Sequence, residues 1–208
     1  MDTLEHMLRK FNPVVSGKPP IQLTGINRTI LAQTLNELGF KVGAEIGVAE
    51  GYHAEILCRE IPKLHLFCVD AWEKYPGYEE YQEPEKCYQE AVERLAPYAC
   101  EFWRRYSMAA ARVFENNTLD FVYIDAAHDF KNVADDIVEW SKKVRPGGIV
   151  FGHDYKRHSS KSRFPIHVKD VVDAYMYAHG INPWFVLTND IKDPTFGHDN
   201  PGWMFIKQ

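Results

Sequence analysis

The sequence has only four cysteines, Cys58, Cys68, Cys87 and Cys100, and no two of them stand in C-x-x-C spacing. Zinc ribbons and dithiol redox motifs need that spacing, so neither is expected. Cys58 and Cys68 fall inside apolar runs and read as core residues of a reduced, cytoplasmic protein. Long hydrophobic stretches are missing as well. No run approaches the ~20 residues that cross a bilayer, and residues 1–30 lack a charged start followed by an apolar stretch. Neither a membrane segment nor a signal peptide is expected. A surplus of positive charge is also absent, since 24 Lys and Arg against 29 Asp and Glu leave a net charge of −5. A nucleic-acid partner calls for a basic stripe, whereas the densest basic stretch, Lys156 to Arg163, is short and mixed with Ser and His. No internal repeat or low-complexity segment is visible.

What is present is the composition of an ordinary globular chain, 45% hydrophobic and 25% charged in 208 residues. That length suits one domain, 1–208, with a full core. Strand-like runs occur at 42–48, 64–70, 119–125, 147–153, 183–188 and 202–207, with a weaker one at 100–106. Around 66–69, 121–124 and 149–151 they are apolar at consecutive positions, the pattern of strands covered on both faces. Helical patterns cover 2–11, 27–38, 50–60, 86–95, 131–143 and 167–179. In the fifth, Val133, Ile137, Trp140 and Val144 recur at helical spacing, and Asp135, Asp136 and Glu139 are expected to face out. The alternation predicts an α/β fold, a doubly wound and mostly parallel seven-stranded sheet, closed at its edge by an antiparallel C-terminal hairpin.

The most informative segment is AEIGVAEGYHAEIL, residues 44–57, a strand passing through a Gly-containing turn into a helix. Ligands bind at such places in open α/β sheets. A dinucleotide fingerprint reads G-x-G-x-x-G, but here the order is Glu45-x-Gly47-x-x-x-Gly51. A carboxylate repels a pyrophosphate and attracts an ammonium. Gly47 permits a tight turn, and the amides opening the next helix can face a ligand carboxylate. Asp70 ends the next strand, 19 residues after Gly51, where an acidic side chain is placed to accept ribose hydroxyls. Ala71 and Trp72 follow and offer an apolar cover for a base.

These residues resemble the class I S-adenosylmethionine-dependent methyltransferases. The stretch LDFVYIDAAHDFKNVADDIVEWSKKVRPGGIVFGHDY, residues 119–155, resembles methyltransferase family 24, to which natural-product sugar O-methyltransferases and cephalosporin-hydroxylase-like proteins are related. The likeness covers about residues 40–155 and implies a Rossmann-like domain binding S-adenosylmethionine. It assigns Glu45 to the methionine ammonium, Gly47 to the turn beneath it and Asp70 to the ribose. Ser107 falls at the adenine edge with Met108 beside it, and Asp125 stands at the mouth where methyl transfer occurs.

At that mouth Asp125 and His128 form D-x-x-H at one strand end, and His153 and Asp154 end the next. Two uses are open. Asp125 and Asp154, with His153, can hold Mg²⁺ or another divalent cation, which would lower the pKa of a substrate hydroxyl. An imidazole in that set favours Mn²⁺, Fe²⁺ or Zn²⁺ over Mg²⁺. His128 can instead accept the proton with no metal, because the sulfonium is already activated and alignment is the main demand. Residues 72–88 and 156–166 are candidate substrate lids, residues 1–26 a lid or subunit contact, and FGHDNPGW brings His198 near the site or forms only a turn. The expected activity is O-methylation of a small hydroxylated molecule by a protein able to self-associate, with no nucleic-acid or membrane partner. A nicotinamide-dependent oxidoreductase and a non-catalytic cofactor-binding protein remain the rivals. A nucleic-acid methyltransferase is disfavoured by the missing basic face and the missing N-P-P-Y-like tetrapeptide.

Overall fold

The computed structural model describes residues 2–15, 17–75, 83–157 and 165–208. Its elements run in the order α1 (Thr3–Phe11), β1 (Ile21–Leu23), α2 (Arg28–Glu37), β2 (Val42–Ile46), α3 (Tyr52–Glu60), β3 (His65–Asp70), α4 (Pro84–Leu95), β4 (Cys100–Arg104), α5 (Ser107–Ala111), β5 (Leu119–Ile124), α6 (Phe130–Trp140), β6 (Val144–Gly152), α7 (Val168–Ala178), β7 (Trp184–Leu187) and β8 (Gly202–Ile206). The ends of α2 follow from its sequence. Asn27 caps it by accepting from the Ile30 amide, and Gly39, with φ +79°, breaks it.

The strands form one sheet in the order β1-β7-β8-β6-β5-β2-β3-β4. All pairs are parallel except β6–β8 and β7–β8, so the doubly wound architecture and its antiparallel hairpin are as expected. Two details differ. An eighth strand, β1, pairs in parallel with β7, and it therefore flanks the hairpin that was expected to close the edge. Its three residues are too short to carry a readable alternation.

Helices cover both faces. Met7 of α1, Leu35 of α2, Ile56 of α3 and Leu95 of α4 join one core cluster with Phe121 and Phe151. Ala111 of α5, Ile137 of α6 and Val172 of α7 join the other with Val122 and Val150. Burial on both faces explains why β5 is apolar nearly throughout. Cys58 and Cys68 are buried free thiols within the first cluster. Among the described residues no helix is long and apolar enough to cross a membrane.

The chain leaves β2 towards β3 on one side and returns to β5 on the other, so the sheet switches direction between β2 and β5. Ile46 stands in register with Ile124. Gly47 and Asp125 therefore leave the sheet side by side, at the crevice where doubly wound folds place ligands.

Candidate active site

Gly47 is required by packing. A Cβ there would lie 2.2 Å from the Asp125 carbonyl oxygen, and its φ is +87°. The Gly47 amide donates to Val69 O at 2.9 Å and the Asp125 amide to Ile46 O at 2.8 Å, which locks the two strand exits together. Asp70 braces the same turn: its Oδ2 accepts from the Val48 and Ala49 amides at 2.9 and 3.1 Å, and its Oδ1 from the Trp72 amide at 2.8 Å.

Above this crevice opens a cavity of about 430 Å³, within the range of small-molecule sites. Gly47, Asp70, Ala71, Ser107, Met108, Asp125 and His128 all line it, so seven sequence-predicted residues meet at one place. Tyr75, from the expected flap, lines it too and accepts from Asn132 Nδ2 at 3.1 Å. Tyr78 and Tyr81 lie outside the described residues, as does most of the 156–166 segment. Asp70, Glu73, Asp125 and Asp136 bring four carboxyl groups to the wall, and no Lys or Arg is among its described residues.

Other expectations are redirected. Glu45 does not line the cavity. It is 2% exposed, and its Oε1 lies 3.5 Å from His53 Nδ1. Side chains alternate along a strand: Ile46 of β2 faces the cavity, so Glu45 points to the opposite layer. Burial pushes its pKa well above the usual carboxylate range. Gly51, with φ +80°, caps α3 against Ala91. Trp72 is buried against Tyr88 and Phe102 and donates to Ala49 O at 2.9 Å, so it turns away from the cavity and leaves Ala71 on the wall.

Asp136 is the clearest correction. It was expected on the outer face of α6, yet it is 3% exposed and lines the cavity. Trp140 Nε1 donates to Ser107 Oγ at 2.8 Å, and Ser107 Oγ in turn donates to Asp136 Oδ1. Burial, with Asp135 and Asp129 nearby, outweighs the Ser107 bond and raises the Asp136 pKa to about 7. The signal was present in the sequence, since 133, 136, 137 and 140 form one helical stripe.

At the mouth, His128 Nε2 lies 3.2 Å from Asp125 Oδ1 and 3.3 Å from Asp154 Oδ2. These three side chains offer ligand atoms within 4.8 Å of one another. The predicted metal set had His153 in place of His128. The structure turns His153 Nε2 onto Asp199 Oδ1 at 2.8 Å, leaving its Nδ1 3.5 Å from Asp154 Oδ1 and 3.8 Å from Asp125 Oδ2.

Sequence reasoning missed four supporting residues. Tyr123 OH donates to Asp125 Oδ2 at 3.0 Å, and Asn200 Nδ2 to Asp154 Oδ1 at 2.7 Å. Arg28 Nε donates to Asp199 Oδ2 at 2.6 Å, and Arg28 also approaches Asp125 at 3.8 Å. The FGHDNPGW segment thus contributes Asp199 and Asn200. Burial opposes ionisation of Asp125, but His153, His128 and Arg28 overcome it and hold the carboxylate far below its usual range. Burial likewise opposes charge on His153, which Asp125, Asp154 and Asp199 nevertheless raise to about 9. His128 is raised in the same way by Asp125 and Asp154.

A family model described as a methyltransferase domain, family 24, matches residues 44–155, more than half of the chain. The chain belongs to this family. No curated protein matches it. Solved structures share its fold at low identity. The O-methyltransferase of Bacillus cereus in complex with SAH is 18% identical, with 100% of this chain and 91% of that one covered and a TM-score of 0.61. The O-methyltransferase TomG from Streptomyces achromogenes, involved in tomaymycin synthesis and solved with SAM, is 16% identical, with 100% and 90% covered and a TM-score of 0.62. Cofactor-bound Rv0187 from MTB is 17% identical, with 99% and 90% covered and a TM-score of 0.66. The methyltransferase fold is thus that of the class I S-adenosylmethionine-dependent enzymes.

Proposed function

We propose that this methyltransferase transfers a methyl group from S-adenosylmethionine to a hydroxyl of a small molecule such as a sugar or secondary metabolite. The observation that carries this reading is the charge of the cavity, four carboxyl groups and no Lys or Arg among its described lining residues. Such a wall suits a cationic sulfonium donor and opposes the pyrophosphate of a nicotinamide cofactor. Its apolar part, with Ile46, Val69, Ala71 and Met108, fits a nucleobase, and Asp70 at the β3 end fits a ribose diol. Asp70 Oδ2 already accepts two backbone amides, whereas Oδ1 accepts one and keeps a lone pair for a hydroxyl donor. S-Adenosylmethionine, when bound, supplies an electrophilic methyl group.

The residues at the mouth then position the acceptor and take its proton. His128 takes the hydroxyl proton on its imidazole, and Asp125 Oδ1 and Asp154 Oδ2, 3.2 and 3.3 Å from its Nε2, hold the resulting imidazolium. Arg28, Tyr123 and Asn200 occupy the far sides of those carboxylates. A second reading is favoured by the Asp125–His128–Asp154 cluster, which has the donor types for a divalent cation. His128 cannot serve both readings, because a metal-bound imidazole has no lone pair for a proton.

Calorimetry with S-adenosylhomocysteine and NADH tests the proposal. Binding of the first, weakened in Asp70→Ala, with no heat from the second, is the expected result. Binding of NADH alone would overturn it. Added Mn²⁺ distinguishes the two uses of His128, since a heat lost in Asp154→Asn supports the metal-held site and no heat supports the base.

A further inference from the structure

The expected reader of the adenine edge, Ser107, is already committed. Trp140 Nε1 donates to Ser107 Oγ, so the hydroxyl proton is directed at Asp136 Oδ1. This relay fixes the Asp136 carboxyl group. Its Oδ1 is occupied by Ser107, and no hydrogen bond to Oδ2 is found among the described residues. The residue is 3% exposed and lines the same cavity as Met108 and Ala71, so an acceptor oxygen there favours a ligand that can donate to it.

Resting on the reading of the cavity as an adenosyl site, the geometry points to Asp136 as the specificity residue for the base: Oδ2 accepts a hydrogen bond from the exocyclic amine of adenine. A buried acceptor rejects a 6-oxo purine, whose exocyclic oxygen has no proton to give, because the two acceptors are left facing each other. Ser107 is then a positioning residue that sets which carboxyl oxygen faces the base.

The test is calorimetric titration of the wild type, Asp136→Ala and Asp136→Asn with S-adenosylhomocysteine and its deaminated analogue, S-inosylhomocysteine. Burial, with Asp135 and Asp129, raises the Asp136 pKa against the Ser107 bond and Lys131, so titration at about pH 8 favours the acceptor form. The wild type is expected to prefer the adenosyl ligand by about tenfold or more. Asp136→Ala should bring the two affinities together. Asp136→Asn keeps the side-chain shape, and the Ser107 proton holds its Oδ1, so its amide NH₂ faces the base and the preference inverts towards the inosyl ligand. A purely structural Asp136 would weaken both ligands equally, and that outcome, or an unchanged preference in Asp136→Asn, overturns the inference while leaving the adenosyl site intact. A wild type that binds neither ligand overturns the proposed function and this inference with it.

Discussion

Replacing Asp136 by Asn should make stability less sensitive to pH, and the size of the effect follows from its burial. The carboxyl group is 3% exposed and its pKa rises from 3.8 unfolded to about 7 folded. A raised acid binds its proton more tightly in the native state, so its contribution is fully present below the unfolded pKa and is lost as pH rises through the folded one. That rise corresponds to roughly 4 kcal/mol at most, and between about pH 5 and about pH 8 to roughly 3 kcal/mol. Asn cannot ionise, so the variant should gain on the wild type by that amount as pH rises across this window. Other titrating groups are common to both proteins and cancel in the difference. Urea unfolding of each protein without ligand, at several pH values in the window, measures it. A gain below about 1 kcal/mol would mean that Asp136 ionises in the native state at its ordinary pKa, and the reasoning would be refuted.

Gly47→Ala should cost more than about 3 kcal/mol, because its Cβ meets the Asp125 carbonyl at 2.2 Å and backbone cannot swing aside. Gly39→Ala, with a similar φ of +79° but open space, should cost only about 1–2 kcal/mol, so chemical denaturation of the pair isolates the contact. His128→Ala should slow turnover by about 10² to 10⁴; once an acceptor is found, unchanged turnover in single-cycle kinetics would remove it from proton transfer.

The sheet was legible because parallel strands buried on both faces are apolar at consecutive positions. β3, β5 and the end of β6 announce themselves in this way. The cavity was legible for a related reason, since topology places whatever follows β2, β3 and β5 at one crevice. Gly47 and Asp125 follow β2 and β5 directly and Asp70 ends β3, and they meet. Orientation was harder to read. Glu45 is one residue from the turn, and the alternation along β2 sends it to the opposite layer. His153 and Asp154 are adjacent, yet the long-range partner Asp199 claims one of them. Arg28 and Asp199 are 171 positions apart, and no local pattern links them. β1 and α5, with three and five residues, are too short to show a period.

Charge divides the site into two parts with different demands. In the cavity Asp70, Glu73 and Asp136 face no described Lys or Arg on the wall, so a cationic donor is attracted and an anionic one repelled. At the mouth each carboxylate has a positive neighbour: Arg28 beside Asp125 and Asp199, Lys156 3.1 Å from Asp154, and His153 among all three. That half is nearly balanced, so charge there does little to select an acceptor. It serves instead to fix Asp154, whose φ of +53° is held by tertiary contacts rather than local preference. Alignment is what an activated methyl donor leaves for a protein to provide, and the braced carboxylates around His128 are built for alignment.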